Sequence, residues 1–237
     1  MLVRHNKTMS LGIVMAVSFL GVLILIFSPV FDGKTGLEYS DALFNKLAKG
    51  SSYFVPELKD RLKEEQGTDF GGTDIKMENA DAAARAAKLL SYAKLNVRVK
   101  GAELSISGNL ANALGVVLED SSAMYYNRGA EVSTKYGMDE KEVMTTWWDV
   151  LNRVAKEFQK SKRTEQANVI FEVMRKGIEP AYNFYKIEPQ KVSEKALTLI
   201  GMLLFYVLYT MWWGFAIFNL FDGFGLSAQK AKHKQEV

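Results

Sequence analysis

The chain contains no cysteine. That excludes disulfides, zinc–thiolate centres, iron–sulfur ligation and thioether attachment of haem. Histidine is nearly as scarce, with only His5 and His233, both in the terminal tails. The stretch between the tails therefore has no imidazole for a Ser-His-Asp or Cys-His relay, or for a histidine-ligated metal or haem. No phosphate-cradling glycine loop, nucleophile elbow, H-E-x-x-H helix or EF-hand loop occurs. Asp69 and Asp74 sit in a glycine-rich stretch but lack the alternating carboxylates and terminal glutamate of a calcium loop. The pairs Glu64-Glu65 and Glu119-Asp120 lie on helical stretches and read as solvated charge. The chain is accordingly expected to be no enzyme, with no cofactor and no metal.

Charge is missing altogether from two runs, Thr8 to Phe31 and Ala196 to Phe221. At about 1.5 Å per helical residue each can cross a hydrocarbon core of about 30 Å. The first is longer than the apolar region of a cleaved leader and is followed by Ser28-Pro29-Val30-Phe31, a poor cleavage site, so it reads as an uncleaved signal anchor. Neither run has an internal charge of the kind that marks a proton relay or transport path. The organisation predicted is a cytoplasmic lead (1–9), transmembrane helix 1 (10–31), an extracytoplasmic domain (32–195), transmembrane helix 2 (196–221) and a cytoplasmic tail (222–237). Arg4 and Lys7 before the first span, and Lys230, Lys232 and Lys234 after the second, place both tails in the cytoplasm. A bacterial inner membrane with residues 32–195 in the periplasm is the expected setting. Acidic and basic residues balance in the segment between the tails, which argues against nucleic acid as a partner.

What the sequence does have is helical periodicity and aromatic residues. Leu43, Phe44 and Leu47 give a first helical face stopped by Gly50, and Val55-Pro56 opens a second short helix. Gly67 to Lys76 reads as a loop. Asn79 caps an alanine-rich helix with Ala82, Ala86, Leu89, Leu90 and Ala93 inward. Near 96–107 the period drops to two: Val97 and Val99, a turn at Lys100-Gly101, then Leu104 and Ile106, a small β-hairpin. The next helix starts at Gly108-Asn109, with Gly129 just past its end. Asp139 with Glu142 forms a capping box, followed by Met144, Trp147, Trp148, Leu151, Val154 and Phe158 at three- and four-residue spacing. Trp147 and Trp148 are expected to anchor the core. The pattern resumes at Ala167, Ile170, Phe171 and Met174, and Gly177 with Pro180 breaks it. The fold class predicted is a mainly α membrane protein: two transmembrane helices flanking one helical extracytoplasmic domain with a small β-hairpin.

Three sets of residues stand out as candidate contact sites. Tyr206, Tyr209, Trp212 and Trp213 make the second span aromatic and form a candidate partner-docking surface, since polar atoms within hydrocarbon favour a facing helix. Tyr182, Phe184 and Tyr185 suit the headgroup layer as membrane-interface residues. Gly12 and Ala16 form a small-xxx-small pair for close helix packing. The expected partners are the lipid bilayer and a membrane protein or further copies of the chain. The function expected is an accessory or structural subunit of a larger membrane complex. The alternatives are an extracytoplasmic sensing module without its own output domain, and a quinone- or lipid-binding membrane protein.

Overall fold

The protein is described by a computed structural model that covers residues 4–63, 69 and 71–226. The expectations resting on Glu64-Glu65, on Gly67 and on the tail residues Lys230, Lys232, His233 and Lys234 lie outside the described residues. In chain order the elements are α1 (Asn6–Phe27), α2 (Gly36–Gly50), α3 (Val55–Leu62), β1 (Thr73–Lys76), α4 (Ala80–Tyr92), β2 (Asn96–Lys100), β3 (Glu103–Ser107), α5 (Leu110–Tyr125), α6 (Gly129–Tyr136), α7 (Glu140–Lys160), α8 (Thr164–Val173), a π-helical turn (Met174–Ile178), α9 (Glu179–Asn183), a 3-10 turn (Val192–Lys195) and α10 (Ala196–Gly223). The chain divides into two units, residues 1–44 with 191–237, and residues 45–190.

In the first unit α1 and α10 are long and apolar enough to cross a membrane. They pack antiparallel: the Arg4 and His5 N–H groups donate to the Gly223 carbonyl at 2.9 and 3.2 Å, while mid-helix Phe19 meets Tyr209. Those two donors satisfy a carbonyl that the last turn of α10 would otherwise leave open. In α1 the buried or half-buried positions Met9, Gly12, Ala16, Phe19, Leu23 and Ile26 repeat at three and four. Met202, Tyr209, Trp212, Ala216, Asn219 and Gly223 do the same in α10. This is the seam spacing of two helices packed nearly in line.

The second unit owes its core to α5 and α7. Met144, Trp147, Leu151, Val154 and Phe158 on α7, and Leu110, Leu114, Val117 and Leu118 on α5, are all without solvent exposure. Removing one such side chain from water contributes about 1.5–3 kcal/mol, so the three- and four-residue repeat in the sequence is the main source of the fold. Asp139 accepts from the Lys141 and Glu142 N–H groups at 2.9 and 3.1 Å and caps α7. The Glu142 carboxylate does not complete a box; it pairs with Arg85 at 3.1 Å. Asn79 and Asn109 cap α4 and α5.

Four expectations are corrected. The β element is a three-stranded antiparallel sheet of order β1-β3-β2, not a lone hairpin. β1 lies where a loop was expected, with Thr73 opposite Ile106 and Ile75 opposite Leu104. Two inward side chains are too few to show as a periodicity; the strand exists because Leu104 and Ile106 offer it an apolar face beside α7. Gly129 opens α6 rather than ending α5, and Asn127, at φ 60, makes the left-handed turn. Gly177 and Pro180 do not break the α8 helix. The Glu179 N–H reaches back five residues to the Met174 carbonyl, and this wider π turn carries the helix through to Asn183. Gly177 is needed there for space: a Cβ on it would lie 3.0 Å from Leu118. Lastly, Phe44 does not share the buried face of Leu43 and Leu47, but is half exposed.

Candidate docking surface and apolar groove

The small residues of the α1–α10 seam set the distance between the helices. A Cβ on Gly12 would come within 2.7 Å of the Leu220 backbone, and one on Gly223 within 2.7 Å of Met9. Ala16 lies on the same seam, half buried. Further along, Phe19 stacks on Tyr209 (centroids 4.1 Å apart, 12° between planes) and tilts against Trp213 at 4.6 Å. The Tyr209 hydroxyl donates to the Phe19 carbonyl at 3.1 Å. Tyr209 is thus occupied by its own partner helix.

The remaining aromatics differ. Tyr206 is 65 % exposed and Trp213 38 %, with Trp212 half buried. The Tyr206 hydroxyl and both indole N–H groups have no hydrogen-bond partner among the described residues. Other polar side chains of these helices bond to their own backbone: Ser18 to Val14 at 2.7 Å, Thr210 to Tyr206 at 2.9 Å and Asn219 to Phe215 at 2.7 Å. The four aromatic residues singled out in the sequence therefore divide. Tyr209 faces α1, and Tyr206, Trp212 and Trp213 offer unpartnered donors.

Within the same unit α1, the start of α2 and the first half of α10 enclose a groove of about 670 Å³. Leu23, Phe27, Leu37, Met202 and Phe205 line it, and its side-chain hydroxyls come from Tyr39, Ser40, Thr198, Tyr206 and Tyr209. Ser40 donates to the Gly36 carbonyl at 2.7 Å, whereas Tyr39 and Thr198 have no partner among the described residues. Gly201 forms part of the wall, and a Cβ there would meet nothing within 4 Å.

Two polar centres of the second unit escaped the sequence reading. Asp120, 3 % exposed, accepts from the Tyr136 hydroxyl at 2.6 Å, the Trp147 indole at 3.0 Å and Lys135 at 2.7 Å. It is a buried tie between α5, α6 and α7, not solvated charge. Burial, with the Asp120 carboxylate as the next cause, pushes the Tyr136 phenol far up. Lys49, 1 % exposed, donates to Asn127 Oδ1 at 2.9 Å and to the carbonyls of Phe184 and Ile187 at 3.0 and 2.5 Å. Its ammonium has three donors for three acceptors. Desolvation lowers its pKa, opposed by Glu188. Tyr125 donates to the Lys49 carbonyl, and the Gln190 N–H to Lys46 at 3.0 Å, so residues 46–49 and 184–190 are bound side by side. With every donor matched, both centres position segments and have no free group for acid–base chemistry. The only signal for either was a charged residue interrupting an apolar face.

Of the membrane-interface candidates, Tyr182 is exposed and receives Lys141 over its ring, and Phe184 is half buried. Tyr185 turns inward, donating to Glu140 at 2.8 Å over Gly129, where a Cβ would collide with it. Burial, then the Glu140 carboxylate, pushes its phenol up to about 12. Asp69 spends one oxygen on the Gly71 and Gly108 N–H groups, at 3.3 and 2.8 Å. No family model, curated protein or solved structure matches this chain.

Proposed function

We propose that the protein is a non-catalytic accessory subunit of a membrane complex, anchored by α1 and α10 and docked to its partner through the Tyr206–Trp213 side of α10. The observation that carries this is the set of unpartnered donors on that side. Tyr206 lies about 15 Å along a helix of about 1.5 Å rise per residue, halfway through a hydrocarbon core of about 30 Å. A phenol or indole N–H without an acceptor at that depth costs free energy that a facing helix recovers. In this reading both tails are cytoplasmic and residues 32–195 are extracytoplasmic, in the periplasm of a bacterial inner membrane. The antiparallel pair, which brings Arg4 beside Gly223, supports tails on one side. The partner is a membrane protein or a further copy of this chain.

The test compares the size of the detergent-solubilised assembly for the native chain and a Tyr206→Leu/Trp213→Leu variant, with Tyr209→Phe as control. The native chain and the control are expected in a particle well above 26.6 kDa, and the double variant as the single chain. A native chain that runs alone would sink the proposal. Single-cysteine reporters at Thr8 and Lys100 in the otherwise cysteine-free chain check the orientation: an impermeant thiol reagent added outside should label position 100 only.

A further inference from the structure

The dimensions of the groove among α1, α2 and α10 say what fits it. From Thr198 to Tyr209 it follows about 16 Å of helix, half of a hydrocarbon core of about 30 Å and so one leaflet. A volume of about 670 Å³ over that length leaves a cross-section of about 40 Å². A helix, about 10 Å across with its side chains, needs about twice that. Extended hydrocarbon chains do not. The polar atoms are graded along the groove as well: the free hydroxyls of Tyr39 and Thr198 belong to the first turns of α2 and α10, while the depth is lined by Leu23, Met202 and Phe205. Free hydroxyl donors above an apolar slot one leaflet long match an acyl chain whose ester carbonyl lies at the membrane boundary.

We propose that this groove is a binding site for an acyl chain of a diester glycerolipid, its ester carbonyl accepting from Tyr39 and Thr198. It rests on the membrane-spanning reading of α1 and α10 but not on the partner-docking one. The site differs from annular lipid because three walls enclose it, and Gly201 keeps it open, there being nothing within 4 Å of where its Cβ would stand.

The full chain is reconstituted in diester phosphatidylcholine vesicles doped with the same lipid carrying a mid-chain diazirine, irradiated, and the labelled residues are mapped by mass spectrometry. Labelling at Phe27, Met202 and Phe205 is expected several-fold above that at the outward Leu204, Leu208 and Phe218. Gly201→Phe, which fills the slot, should bring groove labelling down to the outward level and leave outward labelling unchanged. The Tyr39→Phe/Thr198→Val pair, which keeps the volume, should lower groove labelling about tenfold, and a dialkyl ether probe should lower it similarly in the native chain. Even labelling over all apolar positions would mean bulk lipid only and would overturn the proposal. So would groove labelling unaffected by both variants, or groove labelling abolished by an equimolar prenyl quinone.

Discussion

Asp120 shows how one side chain can carry a large share of stability without any exposed function. Its two oxygens serve three donors from two other helices, inside a core of Leu118, Met144 and Trp147. Asp120→Ala strands the Tyr136 hydroxyl and the Trp147 indole and leaves Lys135 without its counter-charge. A loss of about 3–5 kcal/mol is expected, read from denaturant unfolding of the solubilised chain; a loss under 1 kcal/mol would mean that water replaces the carboxylate. Tyr185 gives a second prediction. A phenol whose folded pKa lies above its unfolded value of 10.0 holds protons that the unfolded chain releases. Its stabilisation is therefore complete below about pH 10 and lost as pH climbs to about 12. Lys49, held low, works in the opposite direction as pH approaches 10.5, equally in native and variant chains. Tyr185→Phe should flatten the fall in stability between pH 10 and 12 without abolishing it, because Tyr136 and Tyr125 are also held high. An unchanged slope would show that the Glu140 bond is not maintained in solution. Neither residue was legible as special: in sequence Asp120 is one of two adjacent acids, and Tyr185 one of a run of aromatics.

At the scale of elements, backbone approach matters more than side-chain chemistry. α1 and α10 touch at Gly12 and Gly223, where any side chain would press on the opposing backbone. Gly12→Leu should force the helices apart. Its readout is a disulfide between cysteines placed at Met15 and Asn219, whose side chains lie 4.0 Å apart; the yield should fall several-fold with leucine at position 12. An equal yield would mean that the pair slides instead of separating. Helical elements were readable because a buried stripe repeats over many residues, as from Val143 to Phe158. β1 was not, since four residues paired to a distant strand carry no period of their own. The continuous passage from α8 through the π turn was hidden for a related reason: glycine and proline favour a break locally, and the packing of Leu118 against Gly177 overrides them.

For the whole molecule, the contiguous core runs from Val55 to Ala181, inside residues 45–190. A polypeptide of those residues is expected to fold without α1 and α10, with helical circular dichroism and one cooperative unfolding transition. A non-cooperative melt would show that the apolar pair is needed to hold the domain. The clamp built on Lys49 ties residues 46–49 to 184–190 inside that fragment, so both of its ends should stay ordered.

The sequence by itself determined the two long uncharged helices, the helical class of the middle, the caps at Asn79, Asn109 and Asp139, and the β2–β3 turn. Each depends on residues near one another in the chain, through hydrophobic period or local hydrogen bonding. Tertiary structure alone decided that Tyr209 turns to Phe19 while Tyr206 stays free, that Tyr185 points inward, that Asp120 and Lys49 are buried, and that three helices enclose a groove. Those outcomes depend on which face of one element meets another. A three- and four-residue repeat says that a helix has a buried side; only its neighbour decides which aromatic ring lies against backbone and which is left open to a partner or a lipid.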